Sequence, residues 1–155
     1  MNVSRMRFLA CLVLPLLAAC GTEPAGPEGA TSVTYSCCEA GDIDRPYQPG
    51  QTLTVHWTVE SPEQPAVAPP QVELTARLTG PYATTGDLKA AADPGPATFE
   101  AAPVRPSGGP DERPVSTIVI GTDAEPGYYN LVTAVVSDGS TVSGASIIRV
   151  VAPTT

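Results

Sequence analysis

This chain is poor in the groups that most protein chemistry needs. Its 155 residues include one histidine (His56), one tryptophan (Trp57), one lysine (Lys89) and two phenylalanines. A serine-type triad takes a histidine as its base, so such a site would have to be built around His56. No G-x-S-x-G elbow is present to supply the nucleophile. There is no C-x-x-C or H-x-x-x-H pair with metal-ligand spacing, and no glycine-rich phosphate cradle or dinucleotide fingerprint. Basic residues are scarce: 8 Lys and Arg stand against 16 Asp and Glu, a net charge of −8. Without a basic footprint to neutralise phosphates, nucleic acid is excluded as a partner. Long apolar runs are missing as well. A membrane-spanning helix needs about 20 apolar residues. The greasiest stretch, Phe8 to Leu17, is roughly half that and contains Pro15.

That stretch is also the most informative part of what is present. Arg5 and Arg7 precede it, and Ala18-Ala19-Cys20 closes it. A basic start, a short apolar middle and small residues before a cut are the parts of a secretory signal. Leu17-Ala18-Ala19-Cys20 resembles the lipobox of bacterial lipoproteins. The resemblance implies that residues 1–19 are a signal peptide and that Cys20 is lipidated as the new N-terminus. It places the chain on the extracytoplasmic face of the cell membrane or, with Gly21 rather than Asp after the cysteine, the outer membrane. Two or more acyl chains anchor a protein stably, where one binds only marginally. Loss of Arg5 and Arg7 with the leader would make the remainder more acidic still, so lipid rather than surface charge must hold it. Residues 20–30 then form a flexible tether: after the cysteine they contain no aromatic and no large apolar side chain to bury.

Beyond the tether, 18 prolines and 14 glycines punctuate short apolar runs, the pattern of an all-β domain with many turns. Seven strands are predicted, at 31–37, 51–60, 71–78, 97–102, 115–120, 128–137 and 141–152. The second is the clearest. Leu53, Val55, Trp57 and Val59 alternate with Thr52, Thr54, His56 and Thr58, which places the first set on a core face and the second on the other. Asp138-Gly139 between the last two strands is a hairpin signal. The single helical candidate is a turn or two over 87–92, with Asp87 at its start. The segments 80–96 and 103–114 are long for a compact domain, which marks them as functional or mobile.

Two local patterns narrow the architecture. Pro49-Gly50-Gln51-Thr52-Leu53-Thr54-Val55-His56-Trp57-Thr58 resembles the second strand of fibronectin type III modules, where a buried Trp ends an L-x-V-x-W run. Pro126-Gly127-Tyr128-Tyr129-Asn130-Leu131 resembles the start of the sixth strand in immunoglobulin-like and fibronectin-like domains. The resemblance implies a seven-stranded antiparallel immunoglobulin-like sandwich over residues 31–153. Tyr129 would supply the tyrosine corner, its hydroxyl tied to backbone upstream. Antibody-type domains bridge their sheets with a Cys pair that this chain lacks. Trp57 and Leu131 stand about where those cysteines would be, and can fill the space by packing.

Cys11 leaves with the leader and Cys20 takes the lipid. Cys37 and Cys38 remain, adjacent in an exported chain where disulfides are permissible. Strand neighbours point to opposite faces, and several arrangements stay open. One thiol is buried and the other exposed; or the two close a vicinal disulfide in a turn before Glu39-Ala40-Gly41; or they pair between chains or bind metal. A metal site would join Cys37 and Cys38 to His56 and an acid such as Glu39 or Asp42, the soft thiolates selecting copper(I) or zinc. The plainer role for His56 is a solvent-facing strand residue. Asp42-Ile43-Asp44 reads as a solvated acidic turn, since the other ligands of a calcium loop are missing. Five tyrosines offer stacking surfaces for sugar or peptide. The sequence thus predicts a non-enzymatic, lipid-anchored binding or structural module of the bacterial envelope. It needs no cofactor, and its partner would be the membrane together with an envelope protein or glycan. The alternative is an envelope copper or redox protein using Cys37 and Cys38.

Overall fold

The alternation of 51–60 becomes two faces of one strand. In a computed structural model, residues 33–60, 71–91, 93, 95, 97–109 and 111–153 are described. The predicted signal peptide, Cys20, the tether and the first residues of the expected sandwich lie outside them. The described elements run in the order β1 (Thr34–Cys37), α1 (Ala40–Ile43), β2 (Thr52–Glu60), β3 (Val72–Tyr82), α2 (Thr85–Ala90), β4 (Phe99–Glu100), β5 (Val115–Val119), β6 (Gly127–Ser137) and β7 (Ser140–Val150). The strands form two antiparallel sheets, one ordered β1-β2-β5 and the other β4-β3-β6-β7.

The inward residues of the two sheets meet in a single core, which makes the fold sandwich-like. Leu53, Val55, Trp57 and Ile118 come from the first sheet; Leu74, Leu78, Tyr129, Leu131 and Ile148 come from the second. On β2 the alternate set Thr52, Thr54, His56 and Thr58 is exposed or half-buried, as the period of two requires. Between β6 and β7 the Asp138-Gly139 turn has φ of 47° and 80°. Positive φ at both central residues is the type I′ geometry that matches strand twist.

Besides shifts of one to three residues at other strand ends and the unpredicted α1 turn, three departures from the predicted boundaries have a local reason. β3 runs past residue 78 to Tyr82 by shifting register between Thr79 and Tyr82. Gly80 sits there at φ 134°, and a Cβ on it would lie 3.0 Å from the Tyr128 carbonyl oxygen, so no other residue fits without displacement. The helix begins earlier, at Thr85, and its N-cap is Thr84 rather than Asp87. Thr84 Oγ1 accepts from the Asp87 N–H at 3.1 Å while the Asp87 carboxylate accepts from the Thr84 N–H at 3.0 Å. This reciprocal capping box satisfies two otherwise unpaired donors. β4 shrinks from a predicted 97–102 to two residues paired with Arg77 and Leu78.

The chain crosses between the sheets at Tyr47. Its N–H donates to the Arg149 carbonyl at 2.9 Å, and its carbonyl accepts from the Val151 N–H at 2.8 Å. Tyr47 thereby covers one end of the β7 edge, with the Arg45 guanidinium carbon 4.7 Å above the centre of its ring.

Candidate functional site

The predicted site residues separate into a structural set and a surface set. Trp57, Tyr129 and Leu131 belong to the core. Trp57 is 3% exposed and its Nε1–H donates to Ser116 Oγ at 3.0 Å, a buried bond that locks β2 to β5. Tyr129 and Leu131 are fully buried on β6 in the opposite sheet. The Tyr129 hydroxyl donates to the Glu125 carbonyl at 2.9 Å, the backward tie of a tyrosine corner. Burial pushes the Tyr129 hydroxyl above its ordinary pKa, and the charges of Glu125 and Asp123 push it in the same direction. The group therefore stays protonated and keeps donating. Tyr129→Phe should remove this bond alone and cost about 1 kcal/mol of unfolding free energy, measurable as a lower urea midpoint at unchanged slope.

The surface set centres on the end of β1. Cys37 and Cys38 are joined to each other in a vicinal disulfide. Cys37 is the last residue of β1 and pairs with Trp57. One further rung would set Cys38 opposite His56, but at the disulfide the chain leaves the ladder and turns into α1. Asp42, on α1, takes the vacated place. Its Oδ2 accepts the His56 backbone N–H at 2.8 Å, and its Oδ1 lies 2.8 Å from His56 Nδ1. The Asp42 side chain is 8% exposed, against 44% for that of His56. The Tyr47 hydroxyl, buried beneath, donates to the Asp42 carbonyl at 2.7 Å. So Asp42 is not part of a solvated acidic turn: its carboxylate is buried and substitutes for a missing strand.

This arrangement fixes one imidazole by its Nδ1 and leaves the ring half in solvent. Among the described residues no group of three His, Cys, Asp or Glu side chains is placed to hold a metal ion. The open grooves described on the four-stranded sheet are lined by residues such as Val72, Arg105 and Pro106, by Tyr128 and Arg149, or by Arg77 and Ala101. None of the three takes in His56 or the disulfide. No family model matches the chain, and no curated protein matches it.

One loop carries a device that the sequence does not announce. The Glu112 carboxylate accepts from the Ser107 N–H at 2.9 Å, the Ser107 hydroxyl at 3.1 Å and the Gly108 N–H at 2.8 Å. Desolvation of the carboxyl would raise its pKa, but these bonds together with one from the Gly109 backbone outweigh it, and the group lies below its ordinary value of 4.5. Glu112 therefore ties itself back to Ser107 and Gly108 at the start of its loop. The same charge, after burial, raises the Tyr35 hydroxyl.

Proposed function

We propose that this chain is a lipid-anchored, non-enzymatic binding or structural module on the extracytoplasmic side of a bacterial envelope, carrying one immunoglobulin-like, fibronectin-like sandwich. The observation that carries the reading is Cys20, set directly after Leu17-Ala18-Ala19 at the end of a short apolar leader. The Cys37–Cys38 bond agrees with export, because disulfides persist in oxidising compartments. Two features support the immunoglobulin-like assignment. The first, second and fifth strands share one sheet; the third, sixth and seventh share the other. The Tyr129 corner sits at the start of the sixth strand. β4 pairs with β3 instead of joining the first sheet, which separates the chain from the antibody constant type. An envelope protein or a glycan is the partner class.

Expressed in a lipoprotein-processing bacterium, the wild-type chain should sediment with membranes and be released by detergent but not by high salt. Cys20→Ser should abolish that release pattern, leaving an uncleaved or soluble product. Equal fractionation of the two would dismiss the anchor.

A second reading, an envelope copper or redox protein, is favoured by one observation. The Cys37–Cys38 disulfide ends its strand one rung from the Asp42–His56 pair. Reduction would take two electrons and two protons and yield two thiols. Copper(I) titration of the reduced chain against Cys37→Ser/Cys38→Ser separates the two readings: binding lost in the variant favours the second.

A further inference from the structure

The edge of the four-stranded sheet is unusually permissive. β7 is its last strand. Tyr47 bonds to the outward carbonyl of Arg149 and the outward N–H of Val151, and the register with β6 is unbroken from Gly127↔Val150 to Ser137↔Ser140. Alternation therefore turns the backbone N–H and C=O of Thr141, Ser143, Ala145 and Ile147 to the same outer edge. Among the described residues nothing pairs with them. Edge strands are normally blunted by charge, proline or a bulge. From Ser140 to Ile148 there is no charge, no proline and no register shift. Val142, at 72%, is the most exposed large apolar side chain among the described residues.

We infer that this edge pairs with the β7 edge of a second copy, antiparallel across a two-fold axis at Ser143. Two observations select this register. The open run lies between the Asp138-Gly139 turn and Tyr47, and a two-fold centred on Ser143 pairs Thr141, Ser143 and Ala145, with Ile147 reaching the turn of the other copy. Ser143 then faces itself, Thr141 faces Ala145 of the other copy, and each such pair exchanges two backbone hydrogen bonds. Val142 faces Gly144 in a non-hydrogen-bonded pair, where side chains approach most closely, and a glycine leaves the room. Charge is complementary at both ends. The Asp138 turn of one copy arrives beside Tyr47 of the other, where Arg149 is exposed and Arg45 stacks. Elsewhere a chain of net charge −8 would oppose like charges; this segment opposes none. An isologous contact of this kind closes at two and does not propagate.

The test uses the full chain, dispersed in detergent with micelles in excess. Ser143→Cys places two cysteines across the axis with Cα atoms about 5.5 Å apart, within reach of a disulfide. Val142→Cys leaves its two copies on a diagonal at roughly 8 Å, outside that reach. Mild oxidation should convert most of Ser143→Cys to covalent dimer, with Val142→Cys at least tenfold slower and the unsubstituted chain supplying the background. Ser143→Lys sets like charges directly opposite, which destabilises strand pairing, at an exposed position that leaves the monomer fold intact. Sedimentation equilibrium should show its dimer weakened at least tenfold, with an unchanged circular dichroism spectrum. Equal cross-linking at the two positions would overturn the register. A chain that stays monomeric and resists cross-linking at Ser143 would overturn the pairing. So would an edge that takes up only an unrelated extended peptide.

Discussion

Trp57→Ala is expected to lower the unfolding free energy by about 3–5 kcal/mol, the range for deleting a buried aromatic. Two losses combine. The indole is 3% exposed at the centre of β2, so its removal leaves a cavity that the strands around it cannot close. Its Nε1–H also satisfies Ser116 Oγ at 3.0 Å. Ser116 is itself 1% exposed, and an orphaned buried hydroxyl adds to the cost. Domains are stable by about 5–15 kcal/mol, so this single change removes a large share. Trp57→Phe, which keeps most of the volume and loses only the N–H, should cost clearly less. Urea unfolding followed by circular dichroism makes the comparison, because the fluorophore is lost. A Trp57→Ala variant within about 1 kcal/mol of the parent would mean that the indole is not in the core.

The second large effect is at Asp42. Asp42→Ala should destabilise the fold by about 2–3 kcal/mol, since hydrogen bonds to a charged group are worth about 1.5–3 kcal/mol. The substitution removes the acceptor for the His56 N–H and the partner of its ring at one stroke. Asp42→Asn keeps one carbonyl oxygen and should retain the backbone bond, so its cost should be about half. Hydrogen exchange supplies the local readout. The His56 amide should be protected in the parent and in Asp42→Asn, and open in Asp42→Ala. Equal protection in all three would show that the carboxylate does not replace the missing rung of β1.

These two residues mark how far the sequence could be read. Trp57 was legible because β2 alternates without a fault for nine residues, and period two leaves no doubt about which side faces in. Tyr129 was legible through a local pattern, the glycine and tyrosine that open β6. The Asp138-Gly139 hairpin was legible for the same reason, since positive φ at both positions demands such residues. Asp42 was not. It lies 14 residues from His56, and nothing in Asp42-Ile43-Asp44 says that the chain will turn at a disulfide and carry the first acid inward. The choice among arrangements for Cys37 and Cys38 also lay beyond strand periodicity, which places neighbours on opposite faces and so cannot describe a bond that ends the strand. The helix start is a different kind of miss: Thr84-x-x-Asp87 is a capping pattern readable from spacing alone.

The central claim is that processing at Cys20 hangs this sandwich-like domain from a membrane outside the cytosol. The intact mass of the chain recovered from the membrane fraction tests it most directly. The account predicts a polypeptide beginning at Cys20, heavier by its acyl groups, and lighter by two hydrogens for the Cys37–Cys38 bond. A soluble product that retains Met1 or the leader, with no acyl group and with both thiols free, would contradict it.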